Sequence, residues 1–190
     1  MRAVRPCFVV GIGGSAGGLA AYLALFDAMP CDTGMAFVII SHILPSSAHS
    51  LLADILLHHT KMTVQVAAAA MPILPDHVYV IPANTDLRMQ DDAFNLDSPR
   101  TMNKQVDIFL TSLAAAMGPR AIAVIVSGYD GDGAEGCRHI KAKGGTTFAQ
   151  DSTATVGEMP QSARATGCID FVLPAAKIAQ RLQGMSAVSS

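Results

Sequence analysis

The sequence predicts an α/β fold: a doubly wound, mostly parallel sheet with helices on both faces and a small β-hairpin excursion. Three observations carry that expectation. Short runs rich in Val, Ile and Phe alternate with longer stretches of helical character, the pattern left by crossover units. Hydrophobic residues make up 51% of the 190 residues and charged ones only 15%, which suits strands buried on both faces. A glycine-rich segment directly follows the first apolar run, where such a fold turns from strand into helix.

Taken in order, the expected strands are residues 8–12, 36–40, 78–81, 121–126, 146–149 and 169–173, bounded by turn residues and rich in β-branched or aromatic side chains. The expected helices are residues 19–29, 47–59, 104–117, 134–143, 160–166 and 175–182. The third of these shows the reasoning best: Val106, Phe109, Leu110, Leu113 and Met117 recur at helical spacing and form one apolar stripe. Between them, residues 86–104 are polar and irregular, with Phe94 and Leu96 alternating against Asn95 and Asp97 as in a hairpin strand projecting from the sheet. Residues 1–184 read as a single domain and 185–190 as a flexible, frayed tail.

Thirteen basic and fifteen acidic side chains leave a formal charge of -2, so no broad positive surface exists to neutralise phosphates and nucleic acid is not an expected partner. The apolar stretch 18–26 ends at Asp27 and is too short for a bilayer, which needs about 20 residues; a cytoplasmic protein without membrane insertion is expected. Cys7, Cys31, Cys137 and Cys168 are scattered with no C-x-x-C pair, which points to reduced, buried packing residues and to neither a metal site nor disulfides.

The glycine-rich segment Gly11-Ile12-Gly13-Gly14-Ser15-Ala16-Gly17-Gly18 has two readings. As G-x-G-x-x-A, through Gly11, Gly13 and Ala16, it fits a dinucleotide fingerprint, but the second strand should then end in Asp or Glu and ends instead in Ser41 and His42. As G-x-S-x-G, it sets Ser15 on a sharp turn with amides of the next helix ready to receive an oxyanion. Ser15 could equally cap a helix beginning near Ala16. A serine nucleophile needs an imidazole base and a carboxylate to orient it, and in a doubly wound sheet such groups gather at the carboxyl ends of strands. Of six histidines, His42 alone directly follows a predicted strand; His49, His58 and His59 fall in a helical segment, His77 precedes a strand and His139 lies in a helix. By the same rule Asp130 and Asp132 qualify as the acid, either also able to cap the helix from Ala134, and Asp151 is a third candidate.

The chain resembles the catalytic domain of the chemotaxis protein-glutamate methylesterases (CheB-type) over residues 8–182. Matching elements occur in order: Gly13-Gly14-Ser15-Ala16-Gly17-Gly18, His42-Ile43-Leu44-Pro45, His77-Val78-Tyr79-Val80-Ile81-Pro82, Gly118-Pro119-Arg120-Ala121, Asp132-Gly133-Ala134, Ala149-Gln150-Asp151 and Met159-Pro160. The resemblance implies a catalytic Ser15, His42 and Asp132, with Ala16 and Tyr129 at the oxyanion, and neither cofactor nor metal. It also implies hydrolysis of glutamyl methyl esters on cytoplasmic helices of methyl-accepting chemoreceptors, with glutamine deamidation as a companion activity. No receiver domain fits in the sequence, so a receiver or methyltransferase partner acting in trans is expected. Four departures stand out: Ser41 replaces a common glutamine, Tyr129 a methionine, and Asp130 and Glu158 glycines. Asp130 brings negative charge toward a developing oxyanion, where it would slow the reaction or alter substrate preference, and it motivates the alternative of a catalytically weak binding or signalling module.

Overall fold

A computed structural model describes residues 4–42 and 48–188. In chain order β1 (Val9–Gly14) leads to α1 (Gly18–Asp27), β2 (Ala36–Ser41) to α2 (Ala48–Leu56), and β3 (Thr63–Val66) and β4 (His77–Val80) follow. The strands β5 (Asp86–Gln90) and β6 (Ala93–Asp97) precede α3 (Gln105–Met117). Then come β7 (Ala121–Ile125), α4 (Ala134–Ala142), β8 (Thr146–Gln150), α5 (Glu158–Ala165), β9 (Phe171–Leu173) and α6 (Ala175–Val188).

Seven strands form one sheet in the order β3-β4-β2-β1-β7-β8-β9, every neighbouring pair parallel. The chain winds outward from β1 on one side through β2 and on the other from β7, so its direction reverses between β1 and β7. Loops splay apart at such a reversal and leave a crevice beyond the strand ends. The central strands β1, β2 and β7 are buried at every residue, which is why their sequences are continuously apolar or small instead of alternating.

Side chains alternate across the sheet into two cores. On one face Val10 and Ile12 meet Tyr22, Leu25 and Phe26 of α1 and Ile178 and Leu182 of α6. On the other, Val9 and Val38 meet Val106, Phe109, Leu110 and Leu113 of α3 and Cys137 and Ile140 of α4. The helical stripe read from the sequence is thus the face that seats α3 on the sheet, each large side chain contributing about 1.5–3 kcal/mol by burial.

The hairpin expected between residues 86 and 104 consists of two strands joined by Asp91-Asp92, both left-handed at φ 51 and 65, the backbone of a tight two-residue turn. It does not project freely: Leu87, Met89 and Phe94 are buried in the α3 core, and the Met89 N–H donates to Ser112 Oγ at 3.0 Å. Strand β3 escapes the sequence pattern because Thr63–Val66 is a short edge strand with no buried residue. The segment read as a frayed tail is helical through Val188, and the Ser186 hydroxyl donates to the Thr33 carbonyl. The cysteines are free, but only Cys137 is buried; Cys7, which packs against the edge of the α1 core, and Cys168 are half-buried, and Cys31 is exposed. Among the described residues no helix is long and apolar enough to cross a membrane.

Candidate active site

Three adjacent strand ends are stitched together by backbone. The β1–β2 register pairs Gly14 with Ser41, so Ser15 and His42 are the next residues on neighbouring strands, and the His42 N–H donates to the Gly14 carbonyl at 3.1 Å. On the other side the Ser15 N–H donates to the Ser127 carbonyl at 2.9 Å, just beyond β7. The Ser127 hydroxyl, buried, donates to the Ala16 carbonyl at 2.7 Å and accepts the Val156 N–H at 2.9 Å, which ties the turn after β1 to the segments after β7 and β8.

The turn at Ser15 depends on small neighbours. Tyr22 of α1 lies beneath it, and a Cβ added to Gly14 would stand 2.4 Å from the Tyr22 hydroxyl and 2.8 Å from Val126 Cγ2, distances no side chain tolerates. Ser15 does not cap α1, whose N-cap is Gly17. Its Oγ instead accepts the N–H of Tyr129 at 3.0 Å and donates toward the buried Met159 Sδ at 3.6 Å. That contact requires glycine at 128, where a Cβ would lie 2.1 Å from Met159 Sδ and 2.5 Å from Ser15 Oγ.

Asp130 and Asp132, the two candidate acids, face different atoms of one ring. His42 Nε2 lies 2.6 Å from Asp132 Oδ2. A carboxylate only accepts, so Nε2 carries the hydrogen and the neutral ring has Nδ1 as its free lone pair. Asp132 is buried and further fixed by the first turn of α3: Oδ2 accepts the Val106 N–H at 3.0 Å and Oδ1 the Asp107 N–H at 2.8 Å. A negative charge is favoured at this helix end, where unpaired amides and the helix dipole converge. Asp130 Oδ2, by contrast, sits 3.7 Å from Nδ1, with its side chain half exposed.

Asp107 returns the favour to α4. Its Oδ1 accepts the N–H groups of Gly133 at 2.9 Å and Gly136 at 2.8 Å, so each of α3 and α4 is capped by an aspartate near the start of the other. Neither Asp130 nor Asp132 caps α4, whose N-cap Gly133 offers no side chain. Burial, helped by the charge of Asp132, holds the Asp107 carboxyl above its ordinary pKa against the opposing backbone donors. Sequence reasoning missed Asp107; the available signal was a carboxylate in the first turn of a strongly apolar helix.

The His42 ring is pulled in two directions. Burial is the largest single influence and lowers its pKa, but the hydrogen bond and charge of Asp132 and the charge of Asp130 together outweigh burial and the opposing Arg100, leaving it above its ordinary 6.5. The structure brings together Ser15, His42, Tyr129, Asp130 and Asp132, and Ala16 joins them through its carbonyl's bond to Ser127. It does not place a hydrogen bond between Ser15 Oγ and the His42 ring. Asp151 binds its own turn, accepting from the Thr153 amide and hydroxyl. His77 bonds the Pro75 carbonyl and stacks on Tyr79, His59 pairs with Asp27, and His139 lies near Glu135. His58 and His59 follow α2 instead of lying in it, Ile43, Leu44 and Pro45 fall outside the described residues, and no metal-holding group of side chains occurs among the described residues.

A profile described as CheB methylesterase matches residues 10–182. The chain belongs to the CheB methylesterase family. A "Protein-glutamate methylesterase/protein-glutamine glutaminase 1" of Xanthomonas campestris pv. campestris is 33% identical over 187 residues, covering 94% of this chain and 52% of that protein. An uncharacterized 104.1 kDa protein of Rhodobacter capsulatus is 38% identical over 125 residues, 64% of this chain and 13% of its own length. The chain thus spans about half the length of the methylesterases it matches. The crystal structure of the Thermotoga maritima CheB methylesterase catalytic domain superposes with a TM-score of 0.86 at 31% identity, covering 94% of this chain and 98% of that one. The doubly wound class expected from the sequence is therefore the fold of a CheB catalytic domain.

Proposed function

We propose that this CheB-family chain is a cytoplasmic serine hydrolase that demethylates glutamyl methyl esters, and deamidates glutamine, on helices of methyl-accepting chemoreceptors. The observation that carries the reading is the short bond from His42 Nε2 to the helix-anchored Asp132, which leaves Nδ1 as a proton acceptor at the strand end beside Ser15. The relatives' name supports the substrate class. A receiver or methyltransferase partner acting in trans would supply regulation.

In this mechanism Ser15 Oγ turns from Met159 toward His42 and attacks the ester carbonyl while Nδ1 takes its proton. The vacated Tyr129 N–H, with the amide of Ala16, then receives the oxyanion. Collapse expels methoxide, which leaves as methanol with the proton from Nδ1, and the glutamyl–Ser15 ester remains. Water, deprotonated by Nδ1, attacks that ester, and the proton returns to Ser15 as glutamate leaves. Asp132 stays ionised throughout and stabilises the imidazolium.

Methanol release from a methylated receptor helix should be lost in Ser15→Ala by roughly three or more orders of magnitude. Equal rates in the two proteins would sink the assignment. The Asp130 carboxylate beside Nδ1 favours a second reading, a module that binds receptor without turnover. Receptor binding with no methanol release and no labelling of Ser15 by a serine-directed phosphonate is its signature.

A further inference from the structure

We propose that Asp130 is a positioning residue that competes with Ser15 for Nδ1 of His42 by favouring the proton-bearing form of that nitrogen, and so sets how readily the serine is activated. This rests on reading Ser15 as nucleophile and His42 as base. With Nε2 committed to Asp132, Nδ1 is the ring's one remaining site for the serine's proton. The group facing that nitrogen at 3.7 Å is Asp130 Oδ2, while the Ser15 hydroxyl is turned to Met159 and Tyr129.

Asp130 is held in this place and does not drift there. Its backbone is left-handed at φ 69, its Oδ1 accepts the Asp132 N–H at 2.8 Å, and its own N–H donates to Glu158 Oε2 at 3.3 Å. A carboxylate oxygen facing a ring nitrogen's lone pair is repelled, and facing an N–H it is attracted. The contact therefore favours the doubly protonated ring, clamped between Asp132 on one nitrogen and Asp130 on the other, and that ring cannot take a proton from Ser15. Four charged groups bear on it: Asp132 and Asp130 from the segment between β7 and α4, Arg100 from the segment before α3, which opposes them, and Glu158 of α5 through the Asp130 amide.

Asp130→Asn isolates the charge, because asparagine keeps the oxygen that accepts the Asp132 N–H and tolerates a left-handed backbone. Asp130→Gly removes the whole side chain and suits the same backbone. The measurement is the rate at which a serine-directed fluorophosphonate labels the purified chain between pH 5 and 9, with Ser15→Ala as the blank. In both variants the acid limb of the profile should move to lower pH by roughly half to one pH unit, raising the rate at pH 6 about 3- to 10-fold. Profiles that coincide with the wild type overturn the role of Asp130 alone, and so does a plateau at pH 9 that falls in both variants. Labelling that persists in Ser15→Ala, or is absent from all the other proteins, overturns the nucleophile assignment and this proposal with it.

Discussion

Replacing Asp107 with alanine should destabilise the protein more than its position in a solvent-bordering helix turn suggests, and replacing it with asparagine should not. Alanine removes the acceptor for two buried amides, those of Gly133 and Gly136, and an unsatisfied buried donor costs about 1–3 kcal/mol. Against that stands relief of the repulsion between Asp107 and Asp132, so the net loss is about 2–4 kcal/mol. In a chain of 190 residues that is a fall in Tm of roughly 4–16 °C. Asparagine keeps an oxygen at Oδ1 and both bonds. Burial raises the Asp107 pKa above its ordinary 3.8, so the folded chain holds that proton more tightly than the unfolded one. The resulting stabilisation is complete below the ordinary value and is lost as pH rises through the folded value. Asparagine never ionises, so Asp107→Asn should match or exceed the wild type in urea unfolding at pH 7 and lose that margin near pH 4. If alanine and asparagine are equally stable at pH 7, the reciprocal capping of α3 and α4 does not carry the weight assigned to it.

Gly128→Ala should leave the circular dichroism spectrum intact yet cut phosphonate labelling of Ser15 by about 100-fold, because the new Cβ overlaps both Met159 Sδ and Ser15 Oγ; a rate within threefold of wild type contradicts the close approach. If the proposed reaction holds, kcat/KM for methanol release should fall as pH drops through a value above 6.5, since a His42 acting as base must be neutral to accept a proton and its pKa is raised. In Asp132→Asn the limb should shift to lower pH and kcat drop by about 10⁴-fold, checked by the pH–rate profile of methanol release. Gly14→Ala should lower the urea midpoint by the equivalent of about 1–3 kcal/mol without changing the slope, as Tyr22 and Val126 are forced aside.

Much of this architecture was legible in the chain because burial on both faces writes itself as uninterrupted apolar residues. β2 and β7 are such runs, and the α3 stripe from Val106 to Met117 repeats at helical spacing, so strand, helix and their alternation could be read directly. β3 could not, because an edge strand of four partly exposed residues buries too little to bias its composition. At the candidate site, the places of Ser15 and His42 at neighbouring strand ends were legible, since a residue that follows a strand has its location fixed by the strand. Which of Asp130 and Asp132 reaches Nε2 of His42 was not. The two differ in whether α3 amides or solvent receive the carboxylate, and those amides come from residues 26 and 25 positions away. Asp107 was hidden for the same reason: its partners lie on another helix.

Although Asp132 belongs to the stretch between β7 and α4, its carboxylate is moored to α3, outside that stretch. The tip of the loop, Tyr129-Asp130-Gly131, borders the serine and touches Asp132 only through its backbone, the Asp132 N–H donating to Asp130 Oδ1 at 2.8 Å, while α3 holds the carboxylate itself. Variation there can reshape what the serine meets and how its base is guarded while the histidine–aspartate pair keeps its register. This gives evolution, or a protein engineer grafting new tips, a place to alter what the serine meets while α3 keeps its hold on the Asp132 carboxylate.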